Sequence, residues 1–145
     1  MRILGLDYGS KTVGVAITDG LMLTAQCYET VKREHEDKLR RTLARISEIV
    51  KQEGVERIAL GLPLNMDGTQ GERAMKVLAF KELLEKRTGL TVDLVDERLT
   101  TVAADEILDE TGFSKDRAKR KEVIDQIAAQ LILEDYMKTL SNGDK

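Results

Sequence analysis

The stretch "ILGLDYGSKTVGVAITDG", residues 3–20, decides the fold. Two short apolar, β-rich runs, "RILGLDY" and "TVGVAITD", are joined by Gly9, Ser10 and Lys11. Asp19-Gly20 is a strong hairpin signal, and "MLTAQCYETV" follows as a third strand. Three antiparallel strands therefore open the chain. Within the first of them one residue is out of character: Asp7, a carboxylate at the end of a strand that otherwise reads as buried. Burying a charge without a partner is expensive, so Asp7 should have a cation, a hydrogen-bond network or an open cleft beside it.

Beyond the hairpins the pattern changes period. Leu39, Leu43, Ile46 and Val50 predict a helix over 35–53, stopped by Gly54. "ERIALGLPL" is a strand ended by Pro63, and "NMDGTQG" is a loop on turn chemistry. A helix over 71–88 follows, with Met75, Leu78, Ala79 and Leu83 inward. "TVDLVDE" is a fifth strand, and a short helix runs from Thr100 to Glu110 before Gly112. "SKDRAKRK" reads as a mobile basic segment, the last helix as 121–140, and "SNGDK" as a frayed tail over 141–145. No repeat, low-complexity segment or linker interrupts this, so a single domain over 1–140 is expected.

The order β-β-β-α-β-α-β-α-α predicts an α/β fold, a mixed five-stranded sheet with helices on both faces. Each later strand is entered through a crossover helix and should run parallel to the first. Their C-terminal ends then share one edge, where open α/β sheets bind ligands.

Composition narrows the function. The chain has 145 residues, 41% hydrophobic and 34% charged, which is a globular composition able to bury a core. No apolar run is long enough for a membrane span, and "MRILGLDYG" has no leader pattern, so a cytoplasmic protein is expected. Cys27 stands alone and reads as a small buried strand residue; His35 reads as a solvated helix start. Without a His or Cys cluster, any metal must be held by oxygen, which points to Mg²⁺ or Mn²⁺. The net charge of −3 argues against wholesale polyanion binding.

Three acids stand apart. Asp7 ends the first strand, Glu97 ends the fifth in "LVDERLTT", and Asp125 lies in the last helix in "KEVIDQIAAQLIL". In that helix Val123, Ile124, Ile127, Ala128 and Leu131 read as the buried stripe, with Asp125 at its border. Taken singly, each acid is an ordinary turn, strand-end or surface residue. Converging on one cleft, they would repel one another unless cations neutralised them, and two divalent ions are the natural solution. Such a site activates water and stabilises the leaving oxygen of a phosphodiester. Asp96 rivals Glu97, pointing to the opposite face by alternation.

The ordered motifs, strand–Asp7–Gly9–strand, "GLPLNMDG", "DERLTT" and "DQIAAQLIL", resemble those of the YqgF (RuvX) family within the RNase H-like superfamily. The resemblance spans nearly the whole chain. It implies a metal-dependent nuclease, with Asp7, Glu97 and Asp125 as catalytic residues and metal ligands, and two Mg²⁺ or Mn²⁺ ions with substrate bound. The implied substrate is the 5′ end of pre-16S ribosomal RNA, or, as the alternative, a Holliday junction in DNA. Many members of the wider superfamily carry an acid on the first parallel strand after the hairpins; here that strand ends Gly61-Leu62-Pro63 and the role moves to Glu97.

Other residues at that edge have two readings each. Gly9 gives the backbone freedom to turn beyond Asp7. Ser10 and Lys11 either contact phosphate or complete a hairpin turn. Arg98 pairs with a carboxylate or holds a phosphate. Thr100 caps its helix. Asn65, with Asp67, Gly68 and Thr69, clamps substrate or forms a turn. Lys115, Arg117, Lys119, Arg120 and Lys121 form a solvated face or a nucleic-acid backbone contact. With aromatics at 3%, extensive base stacking is not expected. A monomer or weak homodimer fits an RNA nuclease, whereas a resolvase should be a symmetric dimer. An actin-like or sugar-kinase-like phosphotransferase needs a second phosphate loop that this chain lacks. A non-catalytic nucleic-acid-binding module leaves the three acids unexplained.

Overall fold

The computed structural model describes residues 1–97, 100–112 and 116–143. Its elements are β1 (Arg2–Tyr8), β2 (Thr12–Thr18), β3 (Ala25–Lys32), α1 (Arg40–Glu53), β4 (Val55–Leu62), α2 (Glu72–Thr88), β5 (Thr91–Asp96), α3 (Thr100–Thr111) and α4 (Arg117–Gly143). The five strands form one sheet in the order β3-β2-β1-β4-β5. β1, β2 and β3 are antiparallel, whereas β4 runs parallel to β1 and β5 parallel to β4. The C-terminal ends of β1, β4 and β5 therefore meet at one edge, as the crossover argument requires.

Alternation divides the sheet into two faces. Leu4, Leu6 and Tyr8 of β1 face α1 and α2, where they pack with Leu43, Ile46, Ile49, Val77, Phe80 and Leu84. The Tyr8 and Phe80 rings stack with centroids 4.1 Å apart. Ile3 of β1 lies on the other face, with Ala16, Ala59, Ala129, Leu133 and Tyr136, beneath α4. Asp7 has the parity of Ile3, so it belongs to the α4 face.

That second face is lined by small residues for a geometric reason. A Cβ added at Gly5 would lie 2.7 Å from the Leu133 Cβ, and one at Gly14 would lie 2.0 Å from the Asp125 carbonyl oxygen. One at Gly61 would meet Ile132 at 2.5 Å and the Glu97 carboxyl carbon at 2.7 Å. Glycines on three adjacent strands thus let α4 lie directly on the sheet backbone. Further contacts fix its N-terminal half across β3: Thr30 donates to the Glu122 carbonyl, Gln126 donates to Thr30, and Lys32 pairs with Glu122.

Several expected details change. α1 starts at Arg40 rather than residue 35, because Glu36 is drawn into ion pairs with Arg73 and Lys76 on α2 instead of opening a helix. α2 turns a different face inward: Ala74, Val77, Phe80 and Leu84 are buried, while Met75 and Leu83 are exposed. The buried face of α4 is Ala128, Ala129, Ile132, Leu133 and Tyr136, not the stripe through Val123 and Ile127. The basic segment is helical from Arg117, and α4 continues to Gly143, past the expected end at 140. Cys27 is exposed, since β3 is an edge strand; its Sγ donates to Gln130. Among the described residues, no helix is long and apolar enough to cross a membrane.

Candidate active site at the sheet edge

β1 delivers Asp7 to the carboxyl edge and hands the chain to a tight turn. The Gly9 N–H donates to the Thr12 carbonyl at 2.7 Å, closing the hairpin. Gly9 is not required for unusual backbone angles, as its φ is not positive. It is required for space: a Cβ there would press on the Thr12 oxygen at 3.0 Å.

β5 ends at Asp96, and the next N–H, that of Glu97, donates to the Leu62 carbonyl of β4 at 3.2 Å. This bond holds the chain against β4 for one more residue. By alternation Glu97 follows Asp93 and Val95 onto the α4 face, and Asp96 faces away. Glu97 is 8% exposed, packed where Gly61 has no side chain. The Glu97 and Asp7 carboxyl groups share a hydrogen bond. Asp96 is exposed on the opposite face, so Glu97, not its rival, meets Asp7.

Two carboxyl groups can hydrogen-bond only if one carries a proton. Burial pushes the Asp7 carboxyl up from 3.8 to about 6, a rise opposed by the bond to Glu97, reinforced by the field of Asp125 and opposed again by Arg73. A divalent cation can replace such a shared proton, and the oxygen-only donor set suits a hard ion. The pair therefore fits a divalent metal.

Asp125 sits on the sheet-facing side of α4, one and two turns before Ala129 and Ile132. Its Oδ2 accepts a hydrogen bond from Thr12 Oγ1 at 2.7 Å. Burial raises its pKa, while the Thr12 bond and the nearby Lys121 charge oppose the rise. Asp125 is near enough for its charge to act on Asp7. Yet among the described residues no group of three or more His, Cys, Asp or Glu stands close enough together to hold a metal ion. The structure thus joins Asp7 to Glu97 and holds the third carboxylate on Thr12, further apart than full convergence. Mutual repulsion of carboxylates and an available hydroxyl donor account for that placement. Replacing Thr12 by Val should move the Asp125 ionisation to higher pH, as followed by carboxyl-carbon NMR; an unchanged titration would show that the Thr12 bond does not form in solution.

A cleft of about 330 Å³ opens beside the pair, lined by Asp7, Gly9, Ser10, Pro63, Arg73 and Glu97, with Tyr8 and Leu64. Arg73 is the cation among its described lining residues. The other predicted contacts divide. Lys11, Lys119 and Lys121 are exposed, and Lys121 acts on Asp125. Arg120 is turned onto Asp109 of α3 at 3.0 Å, so it serves the α3–α4 junction. Asn65 donates its side-chain N–H to Thr69 Oγ1, and Thr69 donates in turn to Asp67, which braces this exposed loop. Arg98 and Lys115 lie outside the described residues, as do the side chains of Thr100 and Arg117.

Arg33 and Arg73 escaped the sequence reading. Arg33, just past β3, donates to the Gly9 and Glu36 carbonyls, and its guanidinium lies 4.7 Å from the Tyr8 ring centroid. Arg73 donates to the Tyr8 carbonyl at 3.2 Å. One signal was available for Arg73: a cation in the first turn of a helix opposes the helix dipole, which marks it as placed for another purpose.

Comparison with known proteins follows the same lines. The family model described as "RuvX: Holliday junction resolvase" matches residues 1–139. A protein of Agathobacter rectalis named "Putative pre-16S rRNA nuclease" is 56% identical over 143 residues, 99% of each chain. One of the same name from Myxococcus xanthus is 49% identical over 94% of this chain and 87% of its own. Among solved structures, T. thermophilus RuvC in complex with a Holliday junction substrate superposes with a TM-score of 0.58 at 20% identity, covering 96% of this chain and 98% of that one. Fowlpox virus resolvase in complex with Holliday junction DNA gives 0.55 at 14% identity, covering 97% and 99%. These structures share the fold.

Proposed function

The chain belongs to the RuvX family and is a nuclease, a hydrolase of nucleic-acid phosphodiester bonds, and on that premise we propose that it trims the 5′ end of pre-16S ribosomal RNA at the Asp7–Glu97 cleft. The observation that carries the site is the hydrogen-bonded pair Asp7–Glu97, facing an open cleft at the carboxyl edge of the sheet. The names of relatives matched over their full length support the RNA substrate.

In this reading Asp7 and Glu97, with Asp125 beside them, would hold Mg²⁺ or Mn²⁺. When bound, divalent ions activate water and stabilise the leaving oxygen in phosphodiester hydrolysis. The protein's own part is placement. The β1 ladder and the turn closed by Gly9 fix Asp7, while the bond from the Glu97 N–H to β4 fixes Glu97. Close seating of α4 on Gly14 fixes Asp125. Lys11, Lys119 and Lys121 meet the backbone of the strand, adding salt-dependent affinity without reading sequence.

A second reading, cleavage of a DNA four-way junction, is favoured by the description of the family model. One experiment separates the two. With Mn²⁺ present, an end-labelled RNA spanning the pre-16S 5′ leader and a four-way DNA junction are offered in parallel. Cleavage of the RNA is expected. Cleavage of the junction alone would overturn the ribosomal reading and leave the chemistry intact.

A further inference from the structure

We propose that Arg73 is a substrate-binding residue, gripping the phosphate of the strand being cut in the cleft that it lines with the carboxylates. The proposal rests on the nuclease reading of the Asp7–Glu97 cleft and adds a residue to it.

Arg73 combines features that no other described cation of this edge has together. It lines the cleft, and its charge already acts on Asp7. Its side chain is 38% exposed, so it is reachable by a ligand in that cleft. Its guanidinium is held in place: Nη1 pairs with Glu36 Oε1, Nη2 donates to the Tyr8 carbonyl, and the group lies 5.7 Å from the Tyr8 ring centroid. These bonds use two of the five N–H donors of a guanidinium. The remaining donors keep the planar fork that suits a phosphate.

Its neighbour Arg33 is the contrast. Arg33 donates to the carbonyls of Gly9 and Glu36, sits closer to the Tyr8 ring, and does not line the cleft; its remaining Nη1 is buried, out of a ligand's reach. It is a clamp on the turn after Asp7. Glu36 makes the Arg73 arrangement tolerant of a bound anion. Its second oxygen is held by Lys76 at 3.1 Å, so Glu36 keeps a cation when Arg73 is shared with phosphate.

A purely structural Arg73 and a phosphate-binding Arg73 differ in what salt does. Binding of an end-labelled single-stranded RNA spanning the pre-16S 5′ leader is measured without divalent ion, across a range of salt, for wild type, Arg73→Gln and Arg73→Lys. The proposal expects Arg73→Gln to bind about tenfold more weakly or worse, with the slope of log K against log salt shallower by about 0.7, one phosphate contact on a single strand. Arg73→Lys, which keeps the charge, should keep the slope and lose only part of the affinity. If Arg73→Gln matches wild type in affinity and slope, or if Arg73→Lys loses the slope as fully as Arg73→Gln does, Arg73 does not touch substrate and the proposal falls, while cleavage by wild type keeps the nuclease reading standing. Wild type that neither binds nor cuts the RNA or a four-way junction overturns the reading and the proposal together.

Discussion

Asp7→Asn is expected to lose cleavage by roughly a thousandfold or more and, without divalent ion, to be more stable than wild type at neutral pH. The two effects have one cause. Asp7 is a carboxylate placed where burial makes its charge unwelcome. Its folded-state value of about 6 stands above the ordinary 3.8. A group raised in the folded state contributes its full stability below the unfolded value and loses it as pH rises through the folded one. The wild type should therefore shed stability between about pH 4 and pH 6, and the Asn variant should not. Above that window the gap is of order 1–3 kcal/mol, a rise in melting midpoint of roughly 3–10 °C. Below about pH 4 the two proteins should converge, since Asp7 is then neutral in both states. Mn²⁺ should raise the midpoint of wild type and leave Asp7→Asn nearly unmoved, because an ion stabilises only the form that binds it. Thermal melts in chelator and in Mn²⁺ across that range, beside cleavage of labelled RNA, check each part. A variant that still cuts at the wild-type rate removes Asp7 from the site. One that is less stable than wild type at pH 8 in chelator contradicts the raised pKa.

The sheet was legible because its signals are local. The alternation in "ILGLDYGSKTVGVAITDG", the Asp19-Gly20 turn and the crossover rule together yield the strand directions that the structure has. The shared edge for Asp7 and Glu97 followed from the same reasoning; that they meet across the intervening β4 depends on Gly61, which leaves room for the Glu97 side chain. Helix phase was less legible. α2 and α4 each carry apolar residues on more than one stripe, and size is a poor guide to which stripe turns inward. Beneath α4 lie Gly5, Gly14 and Gly61, which make room for the helix backbone at Asp125 and Ala129 and for the bulky Ile132 and Leu133, while Val123 and Ile127 stay half-buried. Arg33, and Arg73 apart from its place in the first turn of α2, were hidden for another reason. They are recognised by the carbonyls they bond, and which carbonyls come free at a turn is settled only once α1, α2 and β1 pack. Asn65 and Arg120 carry a further feature that spacing does not reveal: each has a partner within the fold, Asn65 in Thr69 and Arg120 in Asp109.

Gly14→Ala should be the most damaging glycine-to-alanine change among the glycines whose surroundings the structure describes. The β1–β2 register sets Gly14 directly opposite Asp7, and α4 crosses above it. The added carbon would lie 2.0 Å from the Asp125 carbonyl oxygen and 2.4 Å from its carbonyl carbon. Both are backbone atoms of a helix anchored on either side by Thr30 and by the packing of Ala129 on β1, so no side-chain rotation relieves the clash. Either α4 lifts from β2 or the sheet buckles, and a cost of about 3 kcal/mol or more is expected. Lifting α4 also carries Asp125 away from Thr12 and from Asp7, so residual activity should fall further than the folded fraction does. Gly20→Ala is the matched control: no atom lies within 4 Å of its added carbon, and its φ is not positive, so it should change stability little. Chemical denaturation of the two variants beside wild type, followed by cleavage assays at a temperature where each is folded, reads both effects. Equal stability of the two alanine variants would mean that α4 does not sit on β2 at Gly14, and the placement of Asp125 beside Asp7 would go with it.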